Sequence, residues 1–184
     1  MQARTWFLGL TLLACRSVVG EPVFEVSECV SDPCGDKSYC IMKEKADPAR
    51  PDDADEKIIA ADRKTNTEVL LVAKKYGAPK SNLADFNNLH LSPDGKTLYF
   101  HTWNWATSPA VRALDLTTGK GRFVTAGSIV CVIEKGHYKN DLIIGQSFLY
   151  IQGGRYVIAN LFDPQGKLIG IVGDSSANDK EMCD

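Results

Sequence analysis

An excess of charge of one sign is the first thing this sequence lacks. Lys and Arg number 21 against 23 Asp and Glu, for a net charge of -2 at pH 7. Nucleic-acid binding wants a basic face, and the balance offers no electrostatic case for one. Histidine is scarce, at three. No apolar run approaches the roughly 20 residues that cross a bilayer as a helix. There is no H-E-x-x-H, no phosphate loop and no G-x-G-x-x-G. Gly145-Gln146-Ser147-Phe148-Leu149 lacks the second glycine of a nucleophile elbow. No cofactor is implied. What is present is 44% hydrophobic and 24% charged over 184 residues, the mix of one ordinary globular domain.

The first residues read as an export signal. Arg4 supplies a short positive start, and Trp6 to Ala14 is an apolar run of signal length. Val18-Val19-Gly20 suits cleavage before Glu21, making residues 1–20 the signal and 21–184 a single β domain. Alternatively, Leu12-Leu13-Ala14-Cys15 resembles a bacterial lipobox. The signal would then be residues 1–14, with Cys15 lipidated as the membrane anchor. Leu13 fits the lipobox poorly, whereas Arg16 fits an ordinary cleavage region poorly. Either route leads to the periplasm or outside the cell. Loss of residues 1–20, whose charges are Arg4 and Arg16, takes the net charge from -2 to -4.

The other cysteines are Cys29, Cys34, Cys40, Cys131 and Cys183. In an oxidising compartment they predict disulfides, and an odd number leaves one over or paired between chains. Cys29 and Cys40 flank a turn-like Asp32-Pro33-Cys34-Gly35-Asp36 and can face each other across a hairpin. Cys183 can tie the tail to Cys34 or Cys131. Zinc is the rival, but C-x4-C-x5-C is not a recognised zinc spacing and no His lies nearby. No metal is expected.

The chain reads as strands punctuated by turns. Asp94-Gly95, Thr118-Gly119, Gly153-Gly154 and Gln165-Gly166 each separate β-rich runs, and each predicts an antiparallel hairpin. Helix is scarce. Glu68 to Tyr76 reads as helix or strand, Ser81 to Asn88 as a single helical turn, and Asp47 to Glu56 as a solvated loop. Asp62, Asp115 and Asp163 each open a turn between apolar runs, 53 and then 48 positions apart. The spacing suits a repeated four-stranded unit, with units near 23–76, 87–127 and 128–173. The first is irregular and holds the cysteine cluster.

Leu91-Ser92-Pro93-Asp94-Gly95-Lys96-Thr97-Leu98-Tyr99-Phe100 resembles the blade motif of TolB-like β-propeller repeats. Ala113 to Lys120 resembles the third-to-fourth-strand turn of the same blade. The likeness covers about forty residues well and the third unit loosely. It implies antiparallel four-stranded blades and protein–protein contact in the cell envelope. A closed propeller needs roughly four to eight blades. The expected fold is therefore mainly β, a partial or distorted propeller, with a β-sandwich as the alternative.

Two histidine arrangements invite chemistry. Cys131 with His137 can be drawn as nucleophile and base, but Ile129 to Ile133 is an apolar strand, which favours a buried or disulfide-bonded Cys. His90 and His101 flank the Asp94-Gly95 turn without a third ligand, and read as ordinary strand residues. Thr102 to Pro109 falls between the second and third strands of the blade. Trp103, Asn104 and Trp105 in such a loop are the candidate contact residues, since Trp is enriched at binding hot spots. The rival is a Trp folded over the core as a lid.

The leading function is an exported β-rich protein that binds another protein or an envelope component. A narrower form is an inhibitor or immunity protein of a toxin or cell-wall hydrolase. Some periplasmic immunity proteins against secreted peptidoglycan amidases are similar to partial propellers, and this chain resembles them in size, compartment and hairpin type, not in an aligned motif. The alternatives are an envelope hydrolase with an unrecognised site and a structural accessory lipoprotein.

Overall fold

A computed structural model describes residues 22–45, 54–105, 108–174 and 183. The signal segment, Cys15 and most of the acidic stretch from Asp47 lie outside the described residues.

Twelve strands form three antiparallel sheets of four. The first contains β1 (Phe24–Ser31), β2 (Lys37–Glu44), β3 (Glu56–Asp62) and β4 (Thr67–Ala73). The second contains β5 (Asn87–Leu91), β6 (Thr97–Trp105), β7 (Ser108–Asp115) and β8 (Gly121–Ala126). The third contains β9 (Ser128–Val132), β10 (Leu142–Leu149), β11 (Arg155–Phe162) and β12 (Leu168–Asp174). In each sheet, chain order is spatial order. β1 touches β5 and β5 touches β9, so the first strands of the three sheets meet along one inner line. The sheets do not close into a ring.

Two cores hold the series together. Tyr39, Ile41 and Ile58 of the first sheet pack on Phe86, Leu98, Phe100 and Leu114. On the other face of the second sheet, Tyr99, Val111 and Val124 pack on Ile129, Leu142, Ile144 and Phe162 of the third. The middle sheet is thus buried on both faces, and β7 is accordingly a near-continuous buried run. Three layers in series exclude a two-layer sandwich. Gly127 joins β8 to β9 at φ +139, where an added Cβ would lie 2.7 Å from Ile144 Cγ2 and 2.8 Å from the Gly145 carbonyl. Only glycine lets the chain step this tightly from one sheet to the next.

All four expected hairpins are present, joining β5 to β6, β7 to β8, β10 to β11 and β11 to β12. The three repeated aspartates do one job at one place, the third-to-fourth-strand turn of each sheet. Asp62 Oδ1 accepts the Lys64 and Thr65 amides, Asp115 Oδ1 those of Thr117 and Thr118, and Asp163 Oδ1 those of Gln165 and Lys167. These bonds hold the Asp62 and Asp115 carboxyls below the usual carboxylate range. Glu68 to Tyr76 resolves as strand β4 over its first part. The helical turn expected from Ser81 is corrected. The Asn82 amide bonds back to Ala78, closing one turn at 78–82, and Leu83 then bridges Lys75. Glu56, expected in a solvated loop, opens β3 and is 8% exposed.

The disulfides are Cys29–Cys40 and Cys131–Cys183. Cys29 and Cys40 face each other directly in the β1–β2 register, with Cα atoms 4.2 Å apart. Cys34, also a disulfide candidate, is not bonded and is exposed. The reason is its place in the turn. The Gly35 amide bonds to the Asp32 carbonyl, and Asp32 Oδ1 accepts the Lys37 amide. The Ser-Pro-Asp-Gly turn does the same, with the Gly95 amide on the Ser92 carbonyl and Ser92 Oγ accepting the Thr97 amide. Cys34 occupies the position of Asp94, at the exposed tip of the β1–β2 turn. Iodoacetamide applied to denatured, unreduced protein should therefore label only Cys34 among the five cysteines from Cys29 onward, as read by peptide mapping. Labelling at Cys29, Cys40, Cys131 or Cys183 would contradict the pairing.

Candidate functional site

The segment around the tryptophans is strand, which corrects the expected loop. β6 runs on through Trp105, which pairs with Ser108. The register shifts between Thr102 and Trp105, and this irregularity frees the backbone of Trp103 from the β6–β7 ladder. Another segment takes it up. The Trp103 amide donates to the Ala84 carbonyl at 2.8 Å, and Asn82 Nδ2 donates to the Trp103 carbonyl at 2.9 Å. Asn82 is itself buried. The indole-bearing backbone is thus tied on both sides, while the residue is 54% exposed.

Trp103 lines a groove of about 420 Å³ with Lys43, Asp55, Glu56, Tyr76 and Asp85. Tyr76 is 67% exposed and lies under the Lys74 ammonium, 4.9 Å from the ring centre. Glu56 forms the floor, accepting the Asp85 and Phe86 amides, with Lys43 Nζ 4.0 Å from both Glu56 and Asp85. The groove offers two exposed aromatics set among charges of both signs. Sequence reading missed Tyr76 and Glu56. Tyr76 follows β4 directly, and only the return of the chain at 82–84 brings it beside Trp103.

The other two contact candidates divide. Asn104 is 3% exposed, and its Oδ1 has no hydrogen-bond partner among the described residues. Its side chain is inside the fold, because alternate strand residues point to opposite faces. Trp105 closes β6.

The histidines are held by hydrogen bonds and ring packing. Cys131 is held in a disulfide, which removes it as a nucleophile, and His137 packs edge-on against Tyr138. His90 and His101 are linked through Asn88, with His90 Nε2 3.2 Å from Asn88 Oδ1 and His101 Nε2 3.3 Å from Asn88 Nδ2. His101 Nε2 accepts the Ile129 amide at 2.9 Å, so its proton sits on Nδ1. Among the described residues, no three His, Cys, Asp or Glu side chains are grouped to hold a metal ion.

A further exposed surface lies on the third sheet. Leu149, Tyr150 and Ile151 form the β10–β11 tip, and Leu168, Ile169 and Ile171 stand exposed on β12, the outermost strand.

No family model and no curated protein matches the chain. Solved structures do. The β-propeller domain of the trilobed protease from Pyrococcus furiosus, described as having an open velcro topology, aligns at TM-score 0.53 and 16% identity, over 82% of this chain and 42% of that one. TolB from Acinetobacter baumannii aligns at TM-score 0.51 and 14% identity, over 82% of this chain and 32% of that one. The fold is TolB-like and propeller-like. Pyrococcus horikoshii acylaminoacyl peptidase aligns at TM-score 0.57 and 14% identity, covering 83% of this chain and 25% of the peptidase. The chain thus spans between 25% and 42% of the length of these structures. The likeness is one of fold, three antiparallel four-stranded sheets that do not close. The two disulfides suit an oxidising, extracytoplasmic setting.

Proposed function

We propose that this is an exported protein that acts by binding another protein of the cell envelope, with Trp103 at the centre of the contact. The observation that carries the reading is the pairing of exposure with rigidity at Trp103. A large aromatic presented on a backbone tied at both its amide and its carbonyl loses little conformational entropy on binding. A Trp offers about 150–250 Å² to bury, and hot spots are enriched in Trp and Tyr. Tyr76 supplies the second anchor of the same groove. The exposed apolar residues of the third sheet, at the β10–β11 tip and along β12, also support a binding role. The narrower form is an inhibitor or immunity protein that covers a toxin or a cell-wall hydrolase. Two disulfides and a first segment that reads as an export signal support it. Release into the periplasm follows cleavage before Glu21, and outer-membrane anchoring follows lipidation of Cys15.

The test uses the protein captured with its envelope fraction by crosslinking. Trp103→Ala should reduce recovery of a stoichiometric partner at least tenfold, a loss of about 1.4 kcal/mol or more. Its thermal melt should stay close to the parent, because a half-exposed Trp contributes little to the core. Unchanged recovery, or a melt lowered as for a buried Trp, would reject the surface.

A further inference from the structure

Between the outer strands of the first and second sheets lies a cleft of about 620 Å³, which meets the Trp103 groove at Lys74. Its apolar wall is made by Leu71 of β4, Leu83, Phe100, Leu114 and Phe123. The charged residues lining it are all cationic, among them Lys75, Lys80 and Arg112, and no acidic side chain lines it. In a chain with slightly more acids than bases, that segregation is not expected of an ordinary surface.

Two of these cations converge on one ring. The Arg112 guanidinium carbon is 5.3 Å from the Phe123 ring centre, and Lys80 Nζ is 5.8 Å from the same centre. Arg112 is 4% exposed and has no carboxylate within ion-pair distance among the described residues. Its hydrogen bonds go to neutral oxygens, namely Thr102 Oγ1 and the carbonyls of Pro79, Lys80 and Asn82. These four bonds use four of the five guanidinium N–H groups and leave one on Nη1. A buried cation beside a second cation, with a donor unused and no anion near, is electrostatically incomplete. Such a locus attracts an anion, and the apolar wall beyond it selects what the anion is attached to.

We infer that this cleft binds a small amphiphilic anion, with its carboxylate or phosphate head between Lys80 and Arg112 and its apolar body along Leu71, Leu83 and Phe123. The volume lies within the usual range for small-molecule sites, about 300–1,000 Å³. Lys75 and Lys80 are exposed at the mouth, so a head group can reach these two lysines without opening the fold, with the Arg112 charge buried behind them.

The probes are decanoate and decyl phosphate below their micellar concentrations, with decan-1-ol and decylammonium as controls, followed by calorimetry and by amide chemical shifts. Both anions should bind at least tenfold more tightly than decanol, and decylammonium should not bind. Tighter binding of one anion names the head group. The shifted amides should be those of residues 80–83 and 121–123. Lys80→Glu should weaken both anions at least tenfold. Gly121→Leu should block the cleft. An added Cβ at Gly121, which also lines the cleft, meets nothing within 4 Å. Thermal melts confirm folding, and Lys80→Glu alone suffices should Gly121→Leu fail to fold. Equal binding of decanol and decanoate, or shifts confined to the exposed apolar residues of β10–β12, overturns the inference.

Discussion

Arg112→Ala should cost the fold roughly 2–4 kcal/mol, from buried carbonyls left without a donor and from the void beside Phe123. Arg112 is the clamp between the first two sheets. It sits on β7 and donates at 2.5 Å to the Lys80 carbonyl, 2.7 Å to that of Asn82 and 3.0 Å to that of Pro79. Residues 79–82 belong to the connection that carries the chain from β4 to β5. Without the guanidinium, the buried Asn82 carbonyl loses this donor, and the turn at 78–82 loses its anchor to the sheet. The side chain also packs on Phe123, so alanine leaves a void as well. Arg112→Met keeps much of the stem and removes the donors, and should recover part of the loss. Because all four acceptors are neutral, the Arg112→Ala loss should change little between 50 mM and 500 mM salt. Urea unfolding at both salt concentrations measures it. A loss under about 1 kcal/mol, or one that disappears at high salt, would show that the clamp is not neutral hydrogen bonding. With natural domains stable by about 5–15 kcal/mol, the expected loss is a large share of the whole.

The middle sheet was legible because its local chemistry and its burial agree. Ser92-Pro93-Asp94-Gly95 and Asp115-Leu116-Thr117-Thr118-Gly119 are turns made by their own side chains, so neighbours in sequence suffice to predict them. The first sheet hid the same turn. Asp32-Pro33-Cys34-Gly35 makes the bonds of Ser92-Pro93-Asp94-Gly95 with a Cys where the motif has Asp. Its cysteines also drew the reading towards crosslinks. The strand through Trp105 was missed for a different reason. Its backbone leaves the β6–β7 ladder near Trp103 and bonds to residues some twenty positions earlier, and no local pattern carries that information. Asn104 looked like a contact residue because it lies between two tryptophans, yet strand alternation turns it inward. The cationic cleft was illegible for the same reason as Tyr76. Lys80, Arg112 and Phe123 come from three separate segments, and only the packing of one sheet on the next assembles them.

Acid should destabilise the protein above the range in which carboxylates titrate, chiefly through His101 with His90 contributing in the same direction. His101 is 4% exposed and lies where the inner strands of all three sheets meet. There, Glu28 of β1 accepts the Asn88 and Leu89 amides of β5, both at 2.8 Å. Asn88 reaches His101 of β6, whose Nε2 accepts the Ile129 amide of β9. A proton on Nε2 would turn that acceptor into a donor facing a donor. Burial first, and the neighbouring His90 second, push the His101 pKa down to about 4 from the ordinary 6.5. His90 is also pushed down, mainly by burial, although Glu28 acts against the shift. The unfolded chain therefore takes up a proton near pH 6.5, whereas the folded protein resists until about pH 4. Over that window the unfolded state binds more protons, so stability falls as pH falls, and this contribution levels off below about 4. Lowering from 6.5 to about 4 corresponds to roughly 3 kcal/mol lost between pH 7 and pH 4. The Asp62, Asp94 and Asp115 carboxyls, all held low, add their losses only at more acidic pH. The two windows therefore separate. His101→Gln supplies an amide oxygen that can accept the Ile129 amide and does not titrate. Its stability at pH 7 should be lower than that of the parent because the ring packing is lost. Between pH 7 and pH 4, however, its urea midpoint should fall much less, with the difference in slope worth about 3 kcal/mol. Parallel pH profiles for the two proteins would place the acid sensitivity elsewhere and leave His101 a packing residue at the hub.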